Sequence, residues 1–273
     1  MKGVLKLKIS AMALVFLVMF YGLFQSCMAQ EPSNQDFVAA GKAYEAGDWS
    51  KAIQTYESLI SHAGFSASLC YNLANSYARN GQTGKAVLGY ERALRLAPGD
   101  ADIRHNLELL RREKGLSQED APFAHRAGSL LGLDQWAVLT AILLAVLPLI
   151  QFATWRFTLS TRLSYSLTGI CLLLLGLSFT GIAIQYQSWQ QAVILTPKTS
   201  LLISPFAGAA STGVIEEGLL VRVVKRHGDY TLIKDESGHS GDGDGLSGWI
   251  SNTSFAAIAI TMADRDMRAG KPL

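Results

Sequence analysis

Two long apolar runs, separated by a short basic stretch, leave this chain few options. Trp136 to Phe152, closed by Ala153-Thr154-Trp155, and Leu163 to Tyr186 contain no charged residue. Each is long enough to cross about 30 Å of hydrocarbon at about 1.5 Å per residue. Neither has the polar face that a helix at the edge of a soluble core would show. Composition agrees, with 49% hydrophobic and only 17% charged residues, where soluble domains carry about a quarter. Pro148 is tolerated in such a helix because neighbouring groups can re-satisfy the freed backbone. Trp136, Trp155, Tyr186 and Trp189 stand at the run ends, where amphipathic rings favour the headgroup level. The joining segment, Arg156 to Arg162, has two arginines and no acid, which places it in the cytoplasm and both flanking segments outside.

The N-terminus points the same way. MKGVLKLK is followed by a charge-free stretch from Ile9 to Phe24 and then Gln25-Ser26-Cys27-Met28-Ala29, the layout of a secretory signal peptide. Cleavage after Ala29 is expected. Lipidation of Cys27 and retention as a third membrane anchor stay open. Cys70 and Cys171 form no CxxC pair with each other or with Cys27, so no disulfide is expected despite an oxidising compartment.

After the signal, Gly47, Ala52 and Tyr56 recur as Gly81, Ala86 and Tyr90, an interval of 34. That is the period of the tetratricopeptide repeat, a pair of antiparallel helices. Ala67 to Asp100 closely resembles its consensus through Tyr71-Asn72-Leu73-Ala74, Tyr77, Gly81, Ala86, Tyr90, Ala93-Leu94 and Pro98. Small residues at Ala74 and Ala86 let the helices approach, Tyr77 and Tyr90 fill the space between units, and Pro98 ends the second helix. The first unit, Ser33 to Ser66, is looser and has Gly64 where proline is usual. Ile103, Leu107 and Leu110 then give a capping helix one apolar stripe. Two units and a cap fall short of the usual three repeats, so the segment is expected to lean on a partner, on itself or on the membrane.

Beyond Trp189 the texture turns β-rich. Short runs at 192–195, 200–203, 219–225, 230–234 and 248–250 alternate with Pro197, Pro205, Glu217-Gly218 and His227-Gly228-Asp229, which predicts a small antiparallel barrel. Glu-Gly, Val-x-Val, Gly-Asp-Tyr-x-x-Ile and Gly-Trp-Ile resemble bacterial SH3 domains. Tyr230 replaces the usual tryptophan, and the loop Ser237 to Ser247 is longer than that turn needs.

Catalytic chemistry finds no footing. Asp242 and Asp244 lack the third oxygen ligand and terminal Glu of a calcium loop, and the five histidines form no HExxH or Cys/His pair. Gly84-Lys85 mimics the end of a phosphate loop, but Arg79 stands at the first glycine position and Ala86 follows the lysine. No catalytic residue, cofactor or metal is expected. A net charge of +2 without a basic block gives nucleic acid no electrostatic support.

The order of a signal peptide, a repeat pair, a cap, a membrane hairpin and an SH3-like barrel resembles the BatE-type proteins of bacterial aerotolerance operons. The telling stretch is YNLANSYARNGQTGKAVLGYERALRLAPGDADIRHNLELLRREKG, followed by the membrane pair and Gly-Trp-Ile. The resemblance implies a Gram-negative inner membrane and work beside membrane proteins with von Willebrand A domains and a MoxR-type ATPase.

The expected fold is therefore a multidomain membrane protein: an α-helical TPR solenoid, a transmembrane helical hairpin and a small all-β SH3-like barrel. Its segments are 1–29 signal peptide, 33–113 TPR pair with cap, 114–134 juxtamembrane connector, 135–155 and 163–186 membrane helices, 191–260 SH3-like domain and 261–273 polar tail. The expected function is a non-catalytic scaffold in an envelope or stress-tolerance complex, with both soluble segments in the periplasm. The alternative is an envelope sensor binding peptidoglycan through the barrel. Asn72, Asn75, Arg79, Arg104 and Asn106 fall on helices that line the concave face of such solenoids. They either hydrogen-bond an extended peptide and pair with its acidic groups, or satisfy helix contacts at the surface.

Overall fold

The computed structural model describes residues 34–116, 132–157, 160–187, 190–235 and 246–259. The signal peptide with Cys27, most of the juxtamembrane connector, most of the Ser237 to Ser247 loop and the polar tail lie outside the described residues.

Among the described residues five helices come first: α1 Asn34–Glu45, α2 Trp49–Ala63, α3 Ala67–Arg79, α4 Thr83–Leu96 and α5 Ala101–Glu113. Local chemistry sets their starts. Asp48 caps α2 by accepting from Lys51 N, Ser66 caps α3 through Leu69 N, and Asp100 caps α5 through Asp102 N and Ile103 N. Each pair closes through a left-handed glycine, Gly47 at φ 79° and Gly81 at φ 76°. The helices pack through small residues: Ala40, Ala52, Ala74, Ala86 and Ala93 are fully buried. Gly89 has no room for a Cβ, which would sit 2.8 Å from that of Ala74. The cap stripe Ile103, Leu107 and Leu110 is buried with them.

Two longer helices follow, α6 Leu133–Phe157 and α7 Thr161–Gln187. Both are long and apolar enough to cross a membrane. They pack as an antiparallel hairpin around Leu143, Cys171 and Leu175. The Thr140 and Ser178 hydroxyls lie 2.5 Å apart, and both oxygens are within reach of the Trp136 carbonyl, at 2.9 and 3.1 Å; with one proton each, one hydroxyl donates to the other and the second donates to the carbonyl. Gly181 gives the Trp136 ring its seat, since a Cβ there would lie 2.5 Å from it. The rest of α7 turns Ile170, Leu172, Leu173, Leu177 and Phe179 outward.

Seven strands complete the described residues: β1 Gln191–Ile194, β2 Thr199–Leu202, β3 Ser211–Ile215, β4 Leu220–His227, β5 Tyr230–Asp235, β6 Ser247–Ser251 and β7 Phe255–Ala257. They form one antiparallel sheet in the order β3-β2-β6-β5-β4-β1-β7. β4 shifts register between Val223 and Lys225, so its first half pairs with β1 while its second half pairs only with β5. The core holds Ala192, Ile194, Leu201, Ile215, Val221, Ile233 and Ile250. Among the described residues the ladder is open, with β3 and β7 at its edges, rather than closed into the expected barrel. β3 and β7 went unread in the sequence: Gly213 interrupts the one, and the other is three residues long.

The sheet docks on α4. Val193, Leu220 and Ile258 belong to the same buried cluster as Ala86 and Val87 of α4 and Leu116 just past α5. At Gly84 a Cβ would fall 2.6 Å from the Ile194 carbonyl oxygen and 2.9 Å from Leu195 Cα. Arg92, 5% exposed, donates to the Ala257 carbonyl at 2.9 Å. The helical pair thus leans on its own chain, beyond the hairpin.

Candidate protein-interaction groove

The first helix of each unit and the cap, α1, α3 and α5, form one side of the helical segment, opposite the α4 surface that the sheet covers. A tyrosine and asparagine network runs across that side. Tyr90 on α4 reaches between helices and donates to Asn75 Oδ1 at 2.5 Å. Its ring lies 6.0 Å from that of Tyr71. Tyr71 oxygen in turn accepts from Asn106 Nδ2 at 2.7 Å, tying α3 to α5. Burial, reinforced by Tyr71 and Tyr44, pushes the Tyr90 hydroxyl well above its ordinary value, while Arg79 pulls weakly the other way. Arg79 is exposed; a hydrogen bond with Tyr44 of α1 leads the effects that raise its pKa.

The five residues predicted for the groove divide. Asn75 and Asn106 join the tyrosine network, and Arg79 stays exposed beside it. Asn72 instead donates to Ser68 O of its own helix at 3.0 Å. Arg104 donates to the Pro98 carbonyl at 2.6 Å, fastening the turn before α5. The remaining basic residue of the cap's buried side, Arg111, pairs with Glu91 at 2.6 Å with both side chains largely buried. Sequence reasoning missed the part played by Tyr71 and Tyr44. The available signal was spacing, because Tyr71 precedes Asn75 by one helical turn.

Hydrogen-bond bookkeeping shows what this surface offers. With its carbonyl held by Tyr90, Asn75 directs its amide hydrogens elsewhere; with its oxygen already accepting, Tyr71 keeps its proton to donate. Together with Arg79 these are three donors along α3. A cleft of about 400 Å³ opens at the other end, between the starts of α3 and α5, lined by Ser66, Ser68, Tyr71, Asp100, Asp102 and Ile103. The groove therefore has a cationic end at Arg79 and an anionic end at Asp100 and Asp102.

Residues 67–100 match the tetratricopeptide repeat family. The match covers α3, α4 and the turn that follows, the unit whose consensus residues were read from the sequence. Comparison with curated proteins gives no match. The repeat gives the chain a module whose general use is protein–protein interaction.

Proposed function

We propose that the protein is a membrane-anchored interaction scaffold whose soluble segments share the extracytoplasmic side and whose groove captures an extended segment of a partner. The observation that carries this reading is the docking of the sheet on α4. Segments that pack against each other on both sides of a membrane hairpin must lie on one side of the bilayer. Arg156 and Arg162 in the connecting turn favour the cytoplasm for that turn. Tyr165 and Tyr186, both exposed, stand about 31 Å apart along α7 at about 1.5 Å per residue, matching the hydrocarbon thickness.

The sheet closes the α4 surface, so a partner meets the side formed by α1, α3 and α5. Three donors and a two-ended charge suit an extended peptide that brings carbonyls and an acidic group to Arg79 and a basic group to Asp100 and Asp102. The open sheet, with its Gly-Trp-Ile strand at β6, is read as an SH3-like module. The BatE-type resemblance makes membrane proteins with von Willebrand A domains, served by a MoxR-type ATPase, the first partners to seek.

A crosslinked pull-down of the full-length protein from membranes, read by mass spectrometry, tests the proposal. Recovery of membrane-protein partners that is lost with Arg79→Glu supports it. Recovery of only peptidoglycan fragments and wall enzymes would move the function to the sheet and overturn the groove.

A further inference from the structure

We propose that the docked sheet is a clamp for the groove: the helical segment keeps its groove folded only while the sheet sits on α4. This rests on the reading of the groove as the binding site and concerns how it is kept in shape.

Three observations converge. The helical segment has two units and a cap, short of what such arrays usually need alone, and its buried cluster is completed by Val193, Leu220 and Ile258 from the sheet. Among the caps of α2, α3, α4 and α5, that of α4 alone lacks a side-chain bond, since Gln82 makes none. Its free amide at Gly84 donates instead to Glu217 Oε2 of the β3–β4 turn, at 3.3 Å. Finally, Gly218 in that turn, at φ 84°, leaves no more than a close fit for Leu116 and Val87. α4 then carries the effect to the groove, because Tyr90 on the same helix holds Asn75 and lies tilted against Tyr71. Undocking the sheet would free the start of α4, expose Val87 and Leu116, and loosen the helix on which the groove network rests.

The test is hydrogen exchange on the full-length protein in detergent or nanodiscs, comparing wild type with Gly84→Val, which clashes with the Ile194 carbonyl, and with the milder Glu217→Gln. The expected result for Gly84→Val is a fall of at least about tenfold in amide protection across α3 and α5, with β5 and β6 unchanged as the internal control. Glu217→Gln should give a smaller loss confined to the same helices. Unchanged α3 protection in Gly84→Val, with β1 and α4 showing lost contact, would overturn the proposal. So would equal loss in groove helices and sheet in Glu217→Gln, which marks general destabilisation. Pull-down loss without any change in exchange bears on the groove's partner instead, so the two readings fail separately.

Discussion

The carboxylate of Glu217 lies 3.3 Å from the backbone nitrogen of Gly84, 133 residues earlier in the chain and on the far side of the apolar hairpin. A helix start with no cap of its own is served by a turn of the sheet. Providing α4 with a local cap should make that service redundant. Gln82→Asp is expected to stabilise by about 0.5–1 kcal/mol. In its background Glu217→Ala should cost less than in wild type. A double-mutant cycle by thermal unfolding checks this, and strict additivity would contradict it.

The Tyr90 hydroxyl sets an alkaline limit. Its folded pKa is raised, first by burial, so the folded state holds a proton that the unfolded chain gives up above about pH 10. The stabilisation is complete below that value and is lost as pH rises from it toward the folded pKa. Stability should therefore fall with a steep slope above about pH 10, and Tyr90→Phe should flatten that slope while losing about 1 kcal/mol near neutral pH with the Asn75 bond. Unfolding followed against pH, with tyrosinate absorbance as the probe, measures both.

Arg79 and Arg104 belonged together in the sequence and are separated by the structure. Arg104 fastens Pro98, whereas Arg79 is exposed. Arg79→Glu is expected to abolish partner capture with little change in melting temperature. Arg104→Met is expected to lower stability by about 1 kcal/mol and weaken capture only in proportion. Melting curves alongside pull-downs distinguish the two patterns.

The parts of this fold written in local chemistry were legible. The repeat consensus and its 34-residue spacing placed Ala74, Ala86 and Tyr90 in the core, while Asp48, Ser66 and Asp100, which cap the helices they precede, are equally local signals that went unread. The apolar runs gave α6 and α7. What escaped is written in pairings between distant residues. Gly84 reads as a turn glycine or a phosphate-loop remnant until Ile194 is seen against it. Arg92 reads as a solvated helix residue, yet it is buried under the edge of β7. Likewise, the spacing of Tyr71 and Asn75 puts them on one helix face, but it does not name the partners of Asn75 and Asn106, which are Tyr90 and Tyr71 on other helices.

Within the hairpin, Thr140 and Ser178 join α6 to α7 through hydroxyls. Ser178→Ala should weaken the helix pair by about 0.6 kcal/mol, the usual scale for a hydroxyl bond between apolar helices. Gly181→Leu, which drives a side chain into the Trp136 ring, should cost about 1–3 kcal/mol. Unfolding in mixed detergent micelles ranks the two, and the reverse order would contradict the packing.

The shared side of the two soluble segments is tested most directly by labelling single cysteines with a membrane-impermeant maleimide in cells whose outer envelope has been made permeable. Gln54→Cys on α2, Asp229→Cys in the β4–β5 turn and Ser160→Cys between α6 and α7 are exposed positions, introduced after replacing the native cysteines with alanine. The account predicts labelling at Gln54→Cys and Asp229→Cys, and at Ser160→Cys only after the inner membrane is disrupted. Labelling of one soluble segment without the other, or of Ser160→Cys in intact membranes, would contradict it.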